Sequence, residues 1–270
     1  MFVQNTRYLR FEAIVVWYPA KAGDVTLHLE RAPVVILWQC PESLAQELRP
    51  WVFRARPFQT PLVDLARTEE QLWQQLDQLG RRQIRKAEKL DCVISCNEDT
   101  AAARLLLNDS IRRLCYRTEL GEAEWQALLP QHDVFLCKRQ GIPLAAHVIL
   151  RDRPGRARLL MSGGVDRKDE RFRDTAGPAN RLLHWHELQH YKAEGFRFYD
   201  FGGIELDKSA LEPIPQFKLS FGGEVVAEPM LYLAKNPALR AVFRGLSATR
   251  TAIRRLPWPE AWLKALRVRL

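Results

Sequence analysis

Apolar positions recur along the chain with two periods, close to two in some stretches and close to 3.6 in others, and the changes between them mark its elements. RYLRFEAIVVWYP alternates well enough to predict a strand, VTLHLE a second, and VVILWQ a third after the turn at Ala32-Pro33. PESLAQEL predicts a short helix with proline at its opening. Three prolines between Pro50 and Pro61 then interrupt the pattern and place a boundary near Arg56. From Glu69 to Lys89 the helical period runs on across Gly80. CVISC predicts a strand, Asp99 to about Cys115 a helix, and GEAEWQALL a shorter one. The period then returns to two: DVFLCKRQG and IPLAAHVILRD predict a hairpin turned at Gly141, and RARLLMSGGVD a third strand. Pro178 opens a long helix that ends by Gly195. Helix, antiparallel strands, helix, strand is an α/β order. The divisions expected are a β-rich region over 1–55, a main domain over 56–235, and a basic, amphipathic helical tail over 236–270.

The stretch from Phe196 to Val226 carries the most chemistry. FRFYDF predicts a buried strand, and Gly202-Gly203 lets the backbone turn with little obstruction, which puts Asp200 at a sheet edge. Downstream, Lys218 follows Phe217 and precedes Leu219-Ser220-Phe221 and the turn Gly222-Gly223. An ammonium among aromatics has to find an anion or water, so this is the pattern of an anion-handling lysine. Asp200 has a plainer reading as a capped turn acid, and Tyr199 as strand packing.

The order DFGG, a gap, FK, then FGG resembles the Fem-type (FemAB-like) branch of the GNAT acyltransferase superfamily, which includes peptidoglycan bridge-forming aminoacyltransferases and related envelope-polysaccharide acetyltransferases. RRQIRKAEKL is similar to the basic helix of that family, PLVDLARTEEQLWQQL to the strand and helix before it, and ANRLLHWHELQHYKAEGFRFYDFGG to the helix and strand before its second glycine turn. Together these cover roughly 56–233. The resemblance implies a GNAT-like mixed, largely antiparallel sheet flanked by helices. It leaves the β-rich opening either as a reduced first GNAT-like unit or as an added sheet. It also implies direct attack in a ternary complex, and no Gly-x-Ser-x-Gly elbow occurs in the chain. In the family the FK lysine is implicated at the transfer site, which makes Lys218 the expected catalytic cation. Asp200 would then orient the acceptor or take its proton, and Tyr199 would protonate the leaving group; Glu205 is a further candidate in the crevice.

Arg82, Arg85, Lys86 and Lys89 stand three and four apart, so most of them share a helix face. A solvated face is the plain reading; with the resemblance, the set is expected to bind donor phosphates, Arg85 foremost because guanidinium grips two oxygens. CoA-binding GNAT proteins carry R/Q-x-x-G-x-G/A before a helix. Here the letters run from Arg173 through Ala176 and Gly177 to Pro178, so one glycine is lost and the last place has no N–H. The co-substrate expected is acyl-CoA, with aminoacyl-tRNA as the alternative, and no permanently bound cofactor or metal. The acceptor implied is an amine or hydroxyl of a glycan or peptidoglycan-type precursor, lipid-linked forms included.

One motif points elsewhere. His186-Glu187-Leu188-Gln189-His190 matches HExxH, whose histidines share a helix face and hold zinc while the glutamate activates water. The extended pattern fails at Ala193 and Phe196, and histidines on the polar side of a helix are the plainer reading. Two rival functions therefore stand beside acyl transfer: a zinc hydrolase, and a non-catalytic adaptor for an anionic polymer or membrane. Composition narrows the class without choosing. A net charge of +9 favours an anionic partner, and 47% hydrophobic with 10% aromatic residues suits a packed core over disorder. Five cysteines without a CxxC pair suit reduced thiols. No apolar run reaches the length of a spanning helix, and the start lacks the marks of a signal peptide, so a cytoplasmic chain is expected. The arginines of 237–270 make an anionic membrane surface, on the inner face, the expected peripheral contact.

Overall fold

The structure, a computed structural model, describes residues 2–152, 155–204 and 213–254. In chain order it holds β1 (Phe2–Tyr8), β2 (Phe11–Trp17), α1 (Ala22–Arg31), β3 (Val34–Trp38), α2 (Glu42–Glu47) and β4 (Val52–Arg56). Next come β5 (Gln59–Asp64), α3 (Glu69–Gln75), α4 (Gln78–Lys89), β6 (Cys92–Cys96), α5 (Thr100–Leu114) and α6 (Glu122–Leu128). The hairpin of β7 (His132–Arg139) and β8 (Ile142–Asp152) leads into β9 (Arg156–Gly164), α7 (Ala176–Ala193), β10 (Phe198–Asp200) and α8 (Pro213–Leu219). The described chain ends with β11 (Glu224–Ala227), β12 (Met230–Leu233) and α9 (Pro237–Arg254). The class is mixed α/β with two largely antiparallel sheets.

Two compact units form. The first takes residues up to Phe58 together with those from Glu228 on, and the second is Gln59–Ala227. This differs from a single change near Arg56 with the main domain running on to 235. β12 returns to the first unit, where it pairs antiparallel with both β3 and β4. Its sheet has the order β1-β2-β3-β12-β4, with β2 and β3 parallel across α1. The segment VTLHLE lies in α1 and is not a strand. Val25, Leu27 and Leu29 alternate as in a strand, but Val25 and Leu29 are four apart and bury one helix face, whereas Leu27 is left 60% exposed. The first half of α9 packs into the same unit: Phe243 meets Tyr8, Phe11 and Phe53 edge-on or tilted, 4.8–5.5 Å between ring centroids.

In the second unit seven strands run β11-β5-β10-β9-β8-β7-β6. One face carries a core shared with α3, α4 and α7, from Val63, Ala157, Leu159 and Tyr199 to Leu72, Ile84 and Leu183. The opposite face packs Ala103, Leu107 and Ile111 of α5 and Trp125 of α6 on Val134, Leu136, Ala146 and Val148. The predicted single helix over 69–89 is two helices. Leu76 leaves helical geometry, and Asp77 caps α4 by accepting from the Gly80 N–H (2.5 Å). Gly80 therefore sits inside the first turn of α4, and Asp77 is the break. α7 starts two residues before Pro178, which takes the third helical position.

β9 and β10 are the one parallel pair in this sheet among the described residues, and they stay together for three residues only, Asp200 facing Arg158. Beyond that point β9 continues to Gly164 while the other chain turns at Gly202, whose φ of +73° suits glycine. A Cβ there would stand 3.0 Å from the Leu159 carbonyl oxygen. The ladder between the two parallel strands thus ends just before a glycine turn.

Candidate active site

Alternation along β10 sends Tyr199 and Asp200 to opposite faces of the sheet. Asp200 is fully buried, and its Oδ1 accepts from the Gly202 N–H two residues on (2.7 Å) and from the Thr60 hydroxyl of β5. Its Oδ2 lies 3.4 Å from Arg156 and 3.8 Å from Arg158, both on the same face of β9. The carboxylate thus fastens the glycine turn to β5 and β9 by charge-assisted bonds.

Lys218 comes to the same turn from α8. Its Nζ donates to the carbonyls of Gly202 (3.2 Å) and Gly203 (2.8 Å). A Cβ at Gly202 would sit 3.8 Å from both the Lys218 Nζ and an Arg158 nitrogen, so two cations and the Asp200 carboxylate surround one glycine. Burial first, and then the Arg158 guanidinium, push the Lys218 pKa down to about 8, with Asp200 pulling the other way. Gly222, with φ +79°, closes the far end of the segment against Gln75, and Gly223 lies on the Leu62 backbone. Glu205 lies outside the described residues.

On the other face, Tyr199 joins a buried polar knot. Its hydroxyl donates to Glu187 Oε2 (2.5 Å), His147 Nδ1 meets Glu187 Oε1 (2.6 Å), and His184 Nδ1 stands 3.2 Å from both Glu187 Oε2 and the tyrosine oxygen. The second His147 nitrogen reaches Asn180 Oδ1 (3.0 Å). Burial, followed by the neighbouring His147, holds the His184 pKa down to about 4. Burial would raise that of Glu187, but the charge and hydrogen bond of His147 and the bond from His184 hold it low. Tyr199 is pushed well above its ordinary value, by burial and then by Glu187. Tyr199 is thus placed to brace α7 against the sheet. The HExxH letters do not form one site: His186 and His190 are half-buried against the Phe135 ring (6.3 and 5.2 Å), while Glu187 turns inward to His147 and His184. His147, His184 and Glu187 do form a set with metal-ligand types whose atoms lie within 4.8 Å of one another, already joined by hydrogen bonds.

The basic helix is α4. Arg82, Arg85, Lys86 and Lys89 are exposed and, with Gln78, Arg81 and Leu90, line a surface cavity of ≈ 560 Å³. Arg85 lies over the Trp73 ring (5.5 Å), and Lys86 is 3.4 Å from Asp174. Arg173 pairs with Glu170 within its own loop (2.9 Å). At the start of α7 the Ala176 N–H donates to the Phe172 carbonyl and Pro178 has none, so of the first three helical residues only Gly177 has an amide left to offer a ligand. The donor residues expected from the sequence thus fall into a cation-rich helix face and a weakened helix terminus.

Sequence reasoning missed Thr60, His147, Arg156 and Arg158. A signal existed for Arg156 and Arg158, two cations on one face of a strand in RARLL. The buried His147 had none beyond its place in an apolar run.

A sequence profile described as "Acetyltransferase (GNAT) domain" matches residues 79–210. FemX is similar in structure with 11% identity over 90% of this chain and 86% of that one, TM-score 0.68. A C-terminal domain described as belonging to a lysylphosphatidylglycerol synthetase of Agrobacterium fabrum is similar at 15% identity over 89% and 82%, TM-score 0.60. L-PGS of Bacillus licheniformis is similar at 14% identity over 90% and 85%, TM-score 0.56. No curated protein sequence matches the chain.

Proposed function

From the premise that residues 79–210 form an acetyltransferase domain of the GNAT superfamily, in a chain whose fold is similar to that of FemX, we propose that the enzyme transfers an acyl group to an amine or hydroxyl of a cell-envelope precursor, with Lys218 stabilising the developing oxyanion. GNAT acetyltransferases use acyl-CoA as co-substrate and hold no permanent cofactor. The observation that carries the reading is the Lys218 ammonium, half-buried against Gly202 and Gly203 where β9 and β10 part.

The acceptor nitrogen or oxygen attacks the carbonyl carbon, and the carbonyl oxygen gathers negative charge. That charge is met by an ammonium already partly desolvated, where electrostatic attraction is stronger than in water. The C–S bond then breaks, and the thiolate takes up the proton that the acceptor gives away. Lys218 keeps its own proton throughout. Asp200 has both oxygens engaged, which supports a positioning role for it, holding the glycine turn at the reacting carbonyl. The face of Arg82, Arg85, Lys86 and Lys89 is assigned to the donor phosphates. With a single Gly177 amide at the α7 terminus, a donor gripped mainly by side chains is favoured, which keeps aminoacyl-tRNA as the second donor reading.

The lysylphosphatidylglycerol synthetase among the similar proteins supports a lipid-borne acceptor, and the Fem-type resemblance a peptidoglycan-type one. No helix among the described residues is long and apolar enough to cross a membrane. In α9, Arg240 donates to the Ala234 and Lys235 carbonyls and Arg244 to that of Val52, which supports placing any membrane contact further on, in 255–270, outside the described residues. The test is thiol release from acetyl-CoA and longer acyl-CoAs with amine and hydroxyl acceptors, beside thermal shifts with the same donors. Transfer together with donor stabilisation is expected. Neither with any donor, aminoacyl-tRNA included, would overturn the reading.

A further inference from the structure

An oxyanion cation is useful only if it stays in place, and α8 is too short to stay in place by itself. Seven residues lie well below the length at which a helix is stable alone. Lys218 also has a long, rotatable stem. Something outside α8 must fix the segment that carries it.

Arg181 of α7 meets that segment on both sides of Lys218. Its guanidinium lies 4.8 Å over the Phe217 ring and 5.7 Å from that of Phe221, and it donates to the Ser220 hydroxyl (2.7 Å). The Ser220 hydroxyl donates in turn to the Phe217 carbonyl (2.7 Å), closing the turn around Lys218 and Leu219. The same guanidinium stands 4.0 Å from Asp77, which caps α4 and whose own N–H donates to the Ser220 carbonyl (2.9 Å). Arg181 is only 8% exposed, a costly place for a cation. Burial indeed lowers its proton affinity, with Asp77 opposing and Arg167 adding to the effect. A planar cation that lies over one ring, reaches the edge-on second and donates at its own edge is a guanidinium property that an ammonium lacks.

We propose that Arg181 is a positioning residue for transfer: it clamps Phe217, Ser220 and Phe221 and so holds the Lys218 ammonium against the Gly202–Gly203 turn. This rests on the transferase reading of Lys218. Arg181 acts through Lys218, since, Asp77 apart, its contacts are with the residues flanking it.

The charged and titratable groups facing Lys218 are Arg158 of β9, Asp200 of β10 and His184 of α7. Loosening the clamp returns the ammonium to water, so its titration midpoint rises from about 8 towards the ordinary lysine value. The experiment is competitive labelling of Lys218 with fluorodinitrobenzene across pH, read by mass spectrometry, in the intact wild-type and Arg181→Lys proteins. Arg181→Lys keeps the charge and loses the stacked plane, so a rise of about one pH unit or more is expected from resolvation. A folded Arg181→Lys protein with the wild-type midpoint would overturn the proposal. Ser220→Ala removes one tie only and is expected to shift the midpoint the same way by less; if Arg181→Lys does not fold, an unchanged midpoint in Ser220→Ala overturns it instead. In transfer assays Arg181→Lys is expected to lower kcat by up to about 10²-fold with little change in donor KM, and to cost nothing further in a Lys218→Ala background. An additive loss there would show that Arg181 does not act through Lys218. Labelling needs no substrate, so absence of transfer in the wild type would tell against the transferase reading alone.

Discussion

At Lys218 burial and the Arg158 charge pull one way and the Asp200 carboxylate the other, and the balance sets a pH limit. With a pKa near 8, the ammonium is the main form at neutral pH and is lost as pH rises through that value. If the charged form is the one used, kcat falls above about pH 8, and Lys218→Arg, which stays charged, gives a slower enzyme without that fall. Stability has the opposite slope. The unfolded chain holds this proton up to the ordinary lysine pKa of 10.5 and the folded chain only to about 8. Between those values the unfolded state binds more protons, and stability gains from rising pH. A pH series of melting temperatures for wild type and Lys218→Met should therefore diverge over that interval, the wild type gaining on the variant. Lys218, Asp200 and the two glycine pairs were legible because they lie within thirty residues of one another. Arg158 and Thr60 were not, because each meets Asp200 only through strand pairing, Thr60 from 140 residues away.

Among the elements, α7 does most to shape the site. It is tied to β8 and β10 by one buried carboxylate, Glu187, whose partners are His147, His184 and Tyr199. Glu187→Ala leaves those partners without their acceptor in the core and should cost roughly 3–5 kcal/mol, read as a fall in denaturant midpoint at unchanged slope. A loss below about 1 kcal/mol would mean that the knot adds little to stability. The α4 face predicts a different signature. Charge reversal at Arg82 and Arg85 should raise the donor KM and flatten its dependence on salt while leaving kcat nearly unchanged. Among the boundaries read from periodicity, RYLRFEAIVVWYP runs across the turn between β1 and β2, and two further failures share a cause. In α1 three alternating apolar residues imitate a strand, and at Leu76-Asp77 a helical period persists across a real break. Both were decided by which positions the rest of the unit buries and by a cap, neither of which periodicity records. The HExxH letters misled in a related way, since the glutamate shares its site with a histidine three residues before it and another on β8.

For the whole molecule, the first unit is built from both ends of the chain, with β12 inserted between β3 and β4. That return was hidden from the sequence because a four-residue strand pairs with partners nearly two hundred residues earlier. Phe243 makes a prediction for this unit: fully buried among Tyr8, Phe11 and Phe53, its replacement by Ala should cost roughly 3–5 kcal/mol in equilibrium unfolding. Membrane contact is tested by flotation with anionic vesicles. The protein lacking 255–270 should lose binding that the intact chain shows, and equal flotation by both would remove that segment from the reading. The most direct test of the site is Lys218→Ala in the full chain, with thermal shift and thiol release measured on one acyl-CoA. The expected result is an unchanged donor-induced shift with transfer slower by about 10²–10³-fold, the usual loss for one oxyanion donor. A folded Lys218→Ala protein that transfers at the wild-type rate would contradict it.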